Sequence, residues 1–193
     1  MVSRKSIPNM ITGARLASLP VLWGFALAGN PAVVGAGVFF AWLTDALDGF
    51  LARALDAQSA WGSRFDSVTD TLVFGSALVW LVMLRPEFVR DHAAVLALWL
   101  VVGLSAYLVG WLRFRRIVDL HLYSAKAANF AGFLFGAALL AFGELPSALF
   151  YLVIVICILA STETLAAFAT LEEVDENVGT ILPLCRSRDA AGA

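Results

Sequence analysis

The sequence predicts an all-α polytopic membrane protein with six transmembrane helices, and three observations predict it. Hydrophobic residues make up 61% of the 193-residue chain, and its mean hydropathy is +0.84, far above the norm for soluble domains. The apolar residues fall into runs of about 20, the length a helix needs to cross a bilayer core of about 30 Å. Proline, glycine or charged residues separate the runs.

The first run covers residues 10–28 and stops at Gly29-Asn30-Pro31. The second covers 32–54, the third 65–84 and the fourth 92–112. The fifth covers 124–142, ahead of Gly143-Glu144-Leu145-Pro146-Ser147, and the sixth 148–171. Residues 172–193 are polar, so the chain reads as one transmembrane domain, 1–171, followed by a C-terminal tail. Within the fifth run, Gly132 and Gly136 have the small-xxx-small spacing that lets helices approach closely, read here as packing within the chain.

Orientation follows from lysine and arginine, which accumulate in cytoplasmic loops. Six spans place both termini on one side. That side collects Arg4, Lys5, Arg53, Arg64, Arg113, Arg115, Arg116, Lys126, Arg186 and Arg188, against Arg85 and Arg90 opposite; Arg15 lies inside the first span. Both termini are therefore expected in the cytoplasm. The basic N-terminus is expected to be retained, since no clear small-residue cleavage site follows it.

A net charge of -2 and the lack of any RNA- or DNA-binding signature argue against a nucleic-acid partner. Cys157 and Cys185 have neither zinc-site spacing nor the numbers of a disulfide framework, and are read as bystanders.

The informative segment is residues 44–71, where four aspartates stand between apolar runs. Asp45 and Asp48 are three apart at the end of the second helix and share a face. Asp66 and Asp70, four apart, are expected at the start of the third. A helical hairpin would bring the two pairs together. Unpaired, such a cluster suffers desolvation and mutual repulsion. High-charge oxygen ligands suit hard divalent cations, Mg2+ or Mn2+ before zinc, and four carboxylates suffice for two ions. Two ions point to phosphoryl chemistry, in which they offset charge on a diphosphate. Gly49, Ala52 and Gly62 remove side-chain bulk where a phosphorylated group would approach the backbone, and Arg53 can add a charge-assisted contact. A plain interfacial cap of solvated acids and arginines is the blander alternative.

Taken together, Asp45-x2-Asp48-Gly49-x2-Ala52-Arg53-x8-Gly62-x3-Asp66-x3-Asp70 resembles the full signature of the CDP-alcohol phosphotransferase family of integral membrane enzymes. That resemblance implies that Asp45, Asp48 and Asp66 hold the metals, with Asp70 contributing to the second ion and acting as general base. It also implies that Gly49, Ala52, Arg53 and Gly62 line the CDP moiety, that CDP-diacylglycerol is the donor, and that CMP leaves. A homodimer is expected on the same ground, and the lysine and arginine distribution puts the active site at the cytoplasmic face of a membrane expected to be a bacterial inner one.

The opening Pro8-Asn9-x2-Thr12-x2-Arg15 resembles that of the phosphatidylglycerophosphate synthase and cardiolipin synthase branch, with Asn9 and Thr12 as candidates for the nucleotide pocket. Pro8 and Asn9 equally suit a helix start. Asp66-Ser67-x2-Asp70-Thr71 is closer to the phosphatidylserine and phosphatidylinositol-phosphate synthase branches, so the acceptor alcohol stays open. A phosphorylated acceptor requires cations, and Arg113, Arg116 and Lys126 on the aspartates' side make glycerol 3-phosphate the preferred acceptor, with inositol phosphate, serine or phosphatidylglycerol as alternatives. Positive-inside topology and contact with anionic lipid offer a competing account of the same residues.

Glu163, in the sixth run, must pair or face a cavity. His92 is read as structural, and Trp42 and Trp61 as interfacial aromatics. Two other classes compete with an enzyme. A divalent-cation transporter would need polar groups at mid-membrane, which this pattern lacks. A catalytically silent lipid-binding protein would have little use for all four aspartates.

Overall fold

The computed structural model describes residues 7–54, 60–115 and 122–170, with side chains over 9–47, 61–115 and 122–169. These residues form α1 (Ile7–Leu27), α2 (Pro31–Ala54), α3 (Ala60–Leu84), α4 (Pro86–Asp91), α5 (Ala93–Phe114), α6 (Tyr123–Phe142) and α7 (Ser147–Thr170). No strand occurs among them.

The six long helices follow the order of the six apolar runs. Five contain stretches long and apolar enough to cross a membrane: Asn9–Leu27, Trp61–Leu84, Ala93–Phe114, Tyr123–Phe142 and Ser147–Ala169. In the remaining one, α2, the described side chains give a shorter apolar stretch, Pro31–Leu47; its last turns carry the acidic motif. Its 24 residues still extend about 36 Å at 1.5 Å per residue.

Two boundaries differ from expectation. Helix α3 begins at Ala60, earlier than hydropathy predicts, because a helical backbone continues through polar residues that end an apolar run. Asp66 consequently sits in the second turn of α3 rather than at its start. The short α4 fills what reads as a plain connection. Pro86 opens it, where a missing N–H is harmless, and Glu87 sits in its first turn.

Residues that punctuate the sequence also close the helices. Gly29, at φ +69°, ends α1 with its N–H bonded to the Ala26 carbonyl, while the Asn30 N–H reaches Phe25 O at 3.0 Å. That pair of bonds is a Schellman motif. Asn30 then caps α2, its Oδ1 accepting from the Val33 N–H at 3.3 Å.

The chain divides into two units, Met1–Arg90 with Phe133–Leu145, and Asp91–Gly132 with Pro146–Ala193. The core of the first unites Leu19 and Leu22 of α1, Val34 and Val38 of α2, Trp80 of α3 and Leu140 of α6. Trp80 is fully buried and meets the Trp23 ring edge-on at 5.5 Å, while Trp23 Nε1 donates to Ser76 Oγ at 3.1 Å. Arg85 closes the end of α6: its Nε donates to Leu139 O at 3.1 Å and its Nη2 to Leu140 O at 2.6 Å.

At Gly35, α2 and α6 approach with no room for a side chain. A Cβ there would lie 2.5 Å from the Ala141 nitrogen and 2.6 Å from the Ala137 oxygen. Helix association in lipid relies on such packing rather than on burial from water. Gly35→Ala is therefore expected to destabilise the protein by about 1–3 kcal/mol, read as a lower thermal midpoint in detergent. An unchanged midpoint would contradict the close approach.

In the second unit α5 packs along α7. Gly110 lies against the Phe168 ring, which a Cβ would meet at 3.0 Å. Gly132 faces α7, 3.6 Å from Cys157 Sγ by the same construction, whereas Gly136 meets nothing within 4 Å. The glycine pair thus serves packing within the chain at its first member. Cys157 is buried. The His92 ring packs edge-on against Phe150 at 4.4 Å, in keeping with a structural part. Large apolar side chains such as Val101, Leu104 and Leu159 point outward, as lipid-facing surfaces do.

Candidate active site

In the first unit the buried stripes of α1, α2 and α3 all turn polar at the same end. Along α1 the buried positions are Thr12, Arg15, Leu19, Leu22 and Ala26, spaced three or four apart on one face. Along α2, Val34, Val38 and Ala41 are buried, and Asp45 follows one turn later. Along α3, Thr69 and Val73 are buried, with Asp70 and Asp66 towards its start. Helix α2 runs against α1 and α3, so its late turns meet their early ones.

Arg15 organises this meeting. It is 4% exposed, and its guanidinium lies among three carboxylates. Nη1 is 2.8 Å from Asp45 Oδ1. Nη2 donates to Asp66 Oδ1 and lies 3.2 Å from Asp70 Oδ1. Nη1 also reaches the Ala41 carbonyl at 3.5 Å, and Thr12 adds a side-chain hydrogen bond to Asp66. An arginine at this depth in an apolar helix is tolerable only when paired in this way.

Asp45, Asp66 and Asp70 each offer a carboxylate oxygen, and the three atoms lie within 4.8 Å of one another. Such an all-oxygen set fits Mg2+ or Mn2+. The carboxylates have already gathered one cation, the Arg15 guanidinium, which shows that the pocket favours positive charge. Their side chains remain partly open, 38% exposed for Asp45, 34% for Asp66 and 47% for Asp70. A buried cation faces outward through three solvent-touching carboxylates, an arrangement that can receive a diphosphate and its counter-ions from the aqueous side.

Of the other residues singled out by sequence, Thr12 joins this site directly. Asn9 is half-buried near the start of α1, and Gly62 is half-buried on α3, one turn before Asp66 and on its face. Asp48, Gly49, Ala52 and Arg53 belong to α2, but their side chains lie outside the described residues. Arg116 and the tail 172–193 also lie outside them.

Arg113 and Lys126 belong to the second unit. Arg113 Nη1 donates to Phe168 O at 3.1 Å and to Ala169 O, so it closes the last carbonyls of α7. Lys126 is exposed, with Nζ 5.9 Å from the centre of the Tyr123 ring. Glu163 is half-buried on α7. Trp61 is exposed and stacks on Phe65 at 5.2 Å, and Trp42 leans on Phe39 at 6.2 Å.

The site residue that sequence reasoning gave no part in the site is Arg15, noted there as lying inside the first span and as part of an N-terminal pattern. A signal was present: a guanidinium inside an apolar run requires an acidic partner, and the second and third runs supply those acids.

Fold and site together define an integral membrane protein of packed helices that assembles carboxylates at one end of a three-helix cluster. The family model described as CDP-alcohol phosphatidyltransferase matches residues 5–174, and the chain belongs to that family. It is similar to the CDP-diacylglycerol--glycerol-3-phosphate 3-phosphatidyltransferase of Rickettsia typhi, 30% identical over 159 residues covering 78% of this chain and 84% of that protein. The enzyme of the same name from Pseudomonas fluorescens is 40% identical over 80 residues, 40% of this chain and 41% of the relative. A CDP-diacylglycerol--serine O-phosphatidyltransferase of Mycobacterium tuberculosis is 33% identical over 110 residues, 55% of this chain and 38% of the relative.

Proposed function

We propose that the protein transfers the phosphatidyl group of CDP-diacylglycerol to the hydroxyl of glycerol 3-phosphate, releasing CMP, as a homodimer at the cytoplasmic face of a bacterial inner membrane. The observation that carries the reading is the meeting of Asp45, Asp66 and Asp70 at ligand spacing in a chain of this family. Glycerol 3-phosphate is favoured because relatives from Rickettsia and Pseudomonas carry that activity in their names. Pro8, Asn9, Thr12 and Arg15 support the same branch.

In this reading Asp45, Asp48, Asp66 and Asp70 hold two divalent ions, Mg2+ or Mn2+, which would offset charge on the diphosphate and on the departing CMP. Asn9, Thr12, Gly49, Ala52, Arg53 and Gly62 line the CDP moiety. Asp70 is the general base. Its side chain is the most exposed of the three carboxylates, at 47%, and so the best placed to meet a water-soluble acceptor. It takes the hydroxyl proton as the oxygen attacks the phosphorus that carries diacylglycerol. The bond from that phosphorus to the phosphate oxygen of CMP breaks, and CMP leaves as the anion. Lys126, Arg113 and Arg116 are the cations proposed for the acceptor phosphate.

Serine is the second reading, favoured by Ser67 and Thr71 beside the aspartates and by the mycobacterial relative. One assay separates the two. Purified protein receives CDP-diacylglycerol, Mg2+ or Mn2+, and in separate tubes glycerol 3-phosphate, serine, inositol phosphate or phosphatidylglycerol; mass spectrometry identifies the lipid formed. Phosphatidylglycerophosphate is expected. Phosphatidylserine would move the protein to the serine branch, and silence in every tube would overturn the proposed reaction. Lys126→Ala is expected to raise KM for glycerol 3-phosphate about tenfold, the scale of one charge-assisted contact. Light scattering of the detergent-extracted protein checks the dimer, and thiol labelling of oriented vesicles checks the cytoplasmic face.

A further inference from the structure

We propose that Arg15 is a resident counter-cation that competes with the divalent ion for the aspartates, holding the site assembled until the ion displaces its guanidinium. This rests on the metal-binding reading of the site given above.

The geometry carries the argument. One nitrogen, Nη2, is bonded to Asp66 Oδ1 and lies 3.2 Å from Asp70 Oδ1, and Nη1 is 2.8 Å from Asp45 Oδ1. The guanidinium therefore stands between the carboxylates that an ion must bridge. A Mg2+ ion binds carboxylate oxygens at about 2.0–2.1 Å, and at Asp45 Oδ1, Asp66 Oδ1 and Asp70 Oδ1 it meets N–H groups pointing at the same atoms. Nor can the arginine yield by losing its proton, since guanidinium stays charged in proteins. An ion that takes all three carboxylates through those oxygens displaces it; otherwise a carboxylate has to turn its other oxygen to the ion.

Charge explains why such a residue is useful. Without it, three carboxylates would face one another at the edge of an apolar helix cluster, and their repulsion would push α2 away from α3. With it, two negative charges remain among the described residues, enough to attract one divalent ion. Arg15 thus exchanges some metal affinity for a site that keeps its shape while empty. Its side chain is only 1% exposed, so water reaches these pairs only from the carboxylate side.

The experiment is a titration of the full-length protein in detergent with Mn2+ alone, followed by electron paramagnetic resonance, beside thermal unfolding in EDTA. Three proteins are compared: the unaltered chain, Arg15→Gln and Arg15→Lys. Arg15→Gln is expected to bind the first Mn2+ about tenfold more tightly, because a positive neighbour has been removed, and to melt at a lower temperature in EDTA. Added Mn2+ is expected to raise its melting temperature by more than it raises that of the unaltered chain. Arg15→Lys keeps the charge but cannot span three carboxylates, so its Mn2+ affinity should fall between the two. It keeps the question answerable if the glutamine variant does not fold.

Unchanged or weaker Mn2+ binding in the folded variants would overturn the proposal and leave the metal site standing, since a merely positioning arginine predicts weaker binding on its removal. If the unaltered protein itself bound no Mn2+, the metal site and the competition would fall together.

Discussion

Replacing Asp70 with asparagine is expected to lower the rate of CMP release by about two to four orders of magnitude, the range set by loss of a positioned general base. The side chain keeps its volume and loses only its ability to accept a proton and carry a charge. The fold should tolerate the change. Asp70 is the most exposed of the three carboxylates, at 47%, and its contact with Arg15 is 3.2 Å, against 2.8 Å for Asp45. Arg15 keeps Asp45 and Asp66 as partners, so the melting temperature should stay close to that of the unaltered chain. Mn2+ binding measured beside turnover separates the two parts given to this residue. A base predicts turnover lost with metal binding weakened far less, whereas a carboxylate that serves only as a ligand predicts parallel losses. Turnover within tenfold of the unaltered enzyme would remove Asp70 from the proton transfer.

Much of the fold was legible because apolar run length is set by the bilayer, so residues 124–142 predict α6 to within a residue of Tyr123–Phe142. Hydropathy was blind where helix and apolar run part company. The opening of α3, with Gly62 and Arg64, is helical without being apolar, and α4 is too short to show a period. The pairs Asp45/Asp48 and Asp66/Asp70 each share a helix face, and the expected hairpin foretold the meeting of Asp45, Asp66 and Asp70; the Asp48 side chain lies outside the described residues. What spacing along two helices does not contain is the third helix. Arg15 and Thr12 reach the aspartates from α1, 51 residues before Asp66 in the case of the arginine, and only tertiary packing brings them there. Arg113 makes a contact of the same kind: local sequence carries no trace of the α7 carbonyls that its Nη1 satisfies.

The same geometry accounts for the charge placed at one end of an apolar bundle. Buried stripes on α1, α2 and α3 hold the helices together along most of their length, and Arg15 binds the acidic ends that would otherwise repel. Packing and chemistry thus occupy successive turns of the same helix faces. Changes in the apolar turns, as at Gly35, should be read first in stability, and changes in the polar turns first in activity.

Asp66 is where the two overlap, and its replacement is expected to damage both. It is the least exposed of the three carboxylates, at 34%, and it is hydrogen-bonded by both Arg15 and Thr12. Asp66→Ala removes an acceptor from two buried donors and one charge from a buried guanidinium. Breaking a fully buried pair costs about 3–5 kcal/mol; solvent contact at Asp66 and the remaining partners Asp45 and Asp70 reduce the expected loss to about 1–3 kcal/mol. Asp66→Asn retains an oxygen for the same donors and should lose less stability than the alanine variant. Both should fall below one part in about a thousand of normal CMP release, since neither supplies the anionic metal ligand proposed for Asp66. Melting temperature in detergent, followed with and without Mn2+, and CMP release measure the two effects on one preparation. Equal stability of the two variants would show that charge alone ties Asp66 to Arg15, and turnover retained by Asp66→Asn would take this carboxylate out of the metal site.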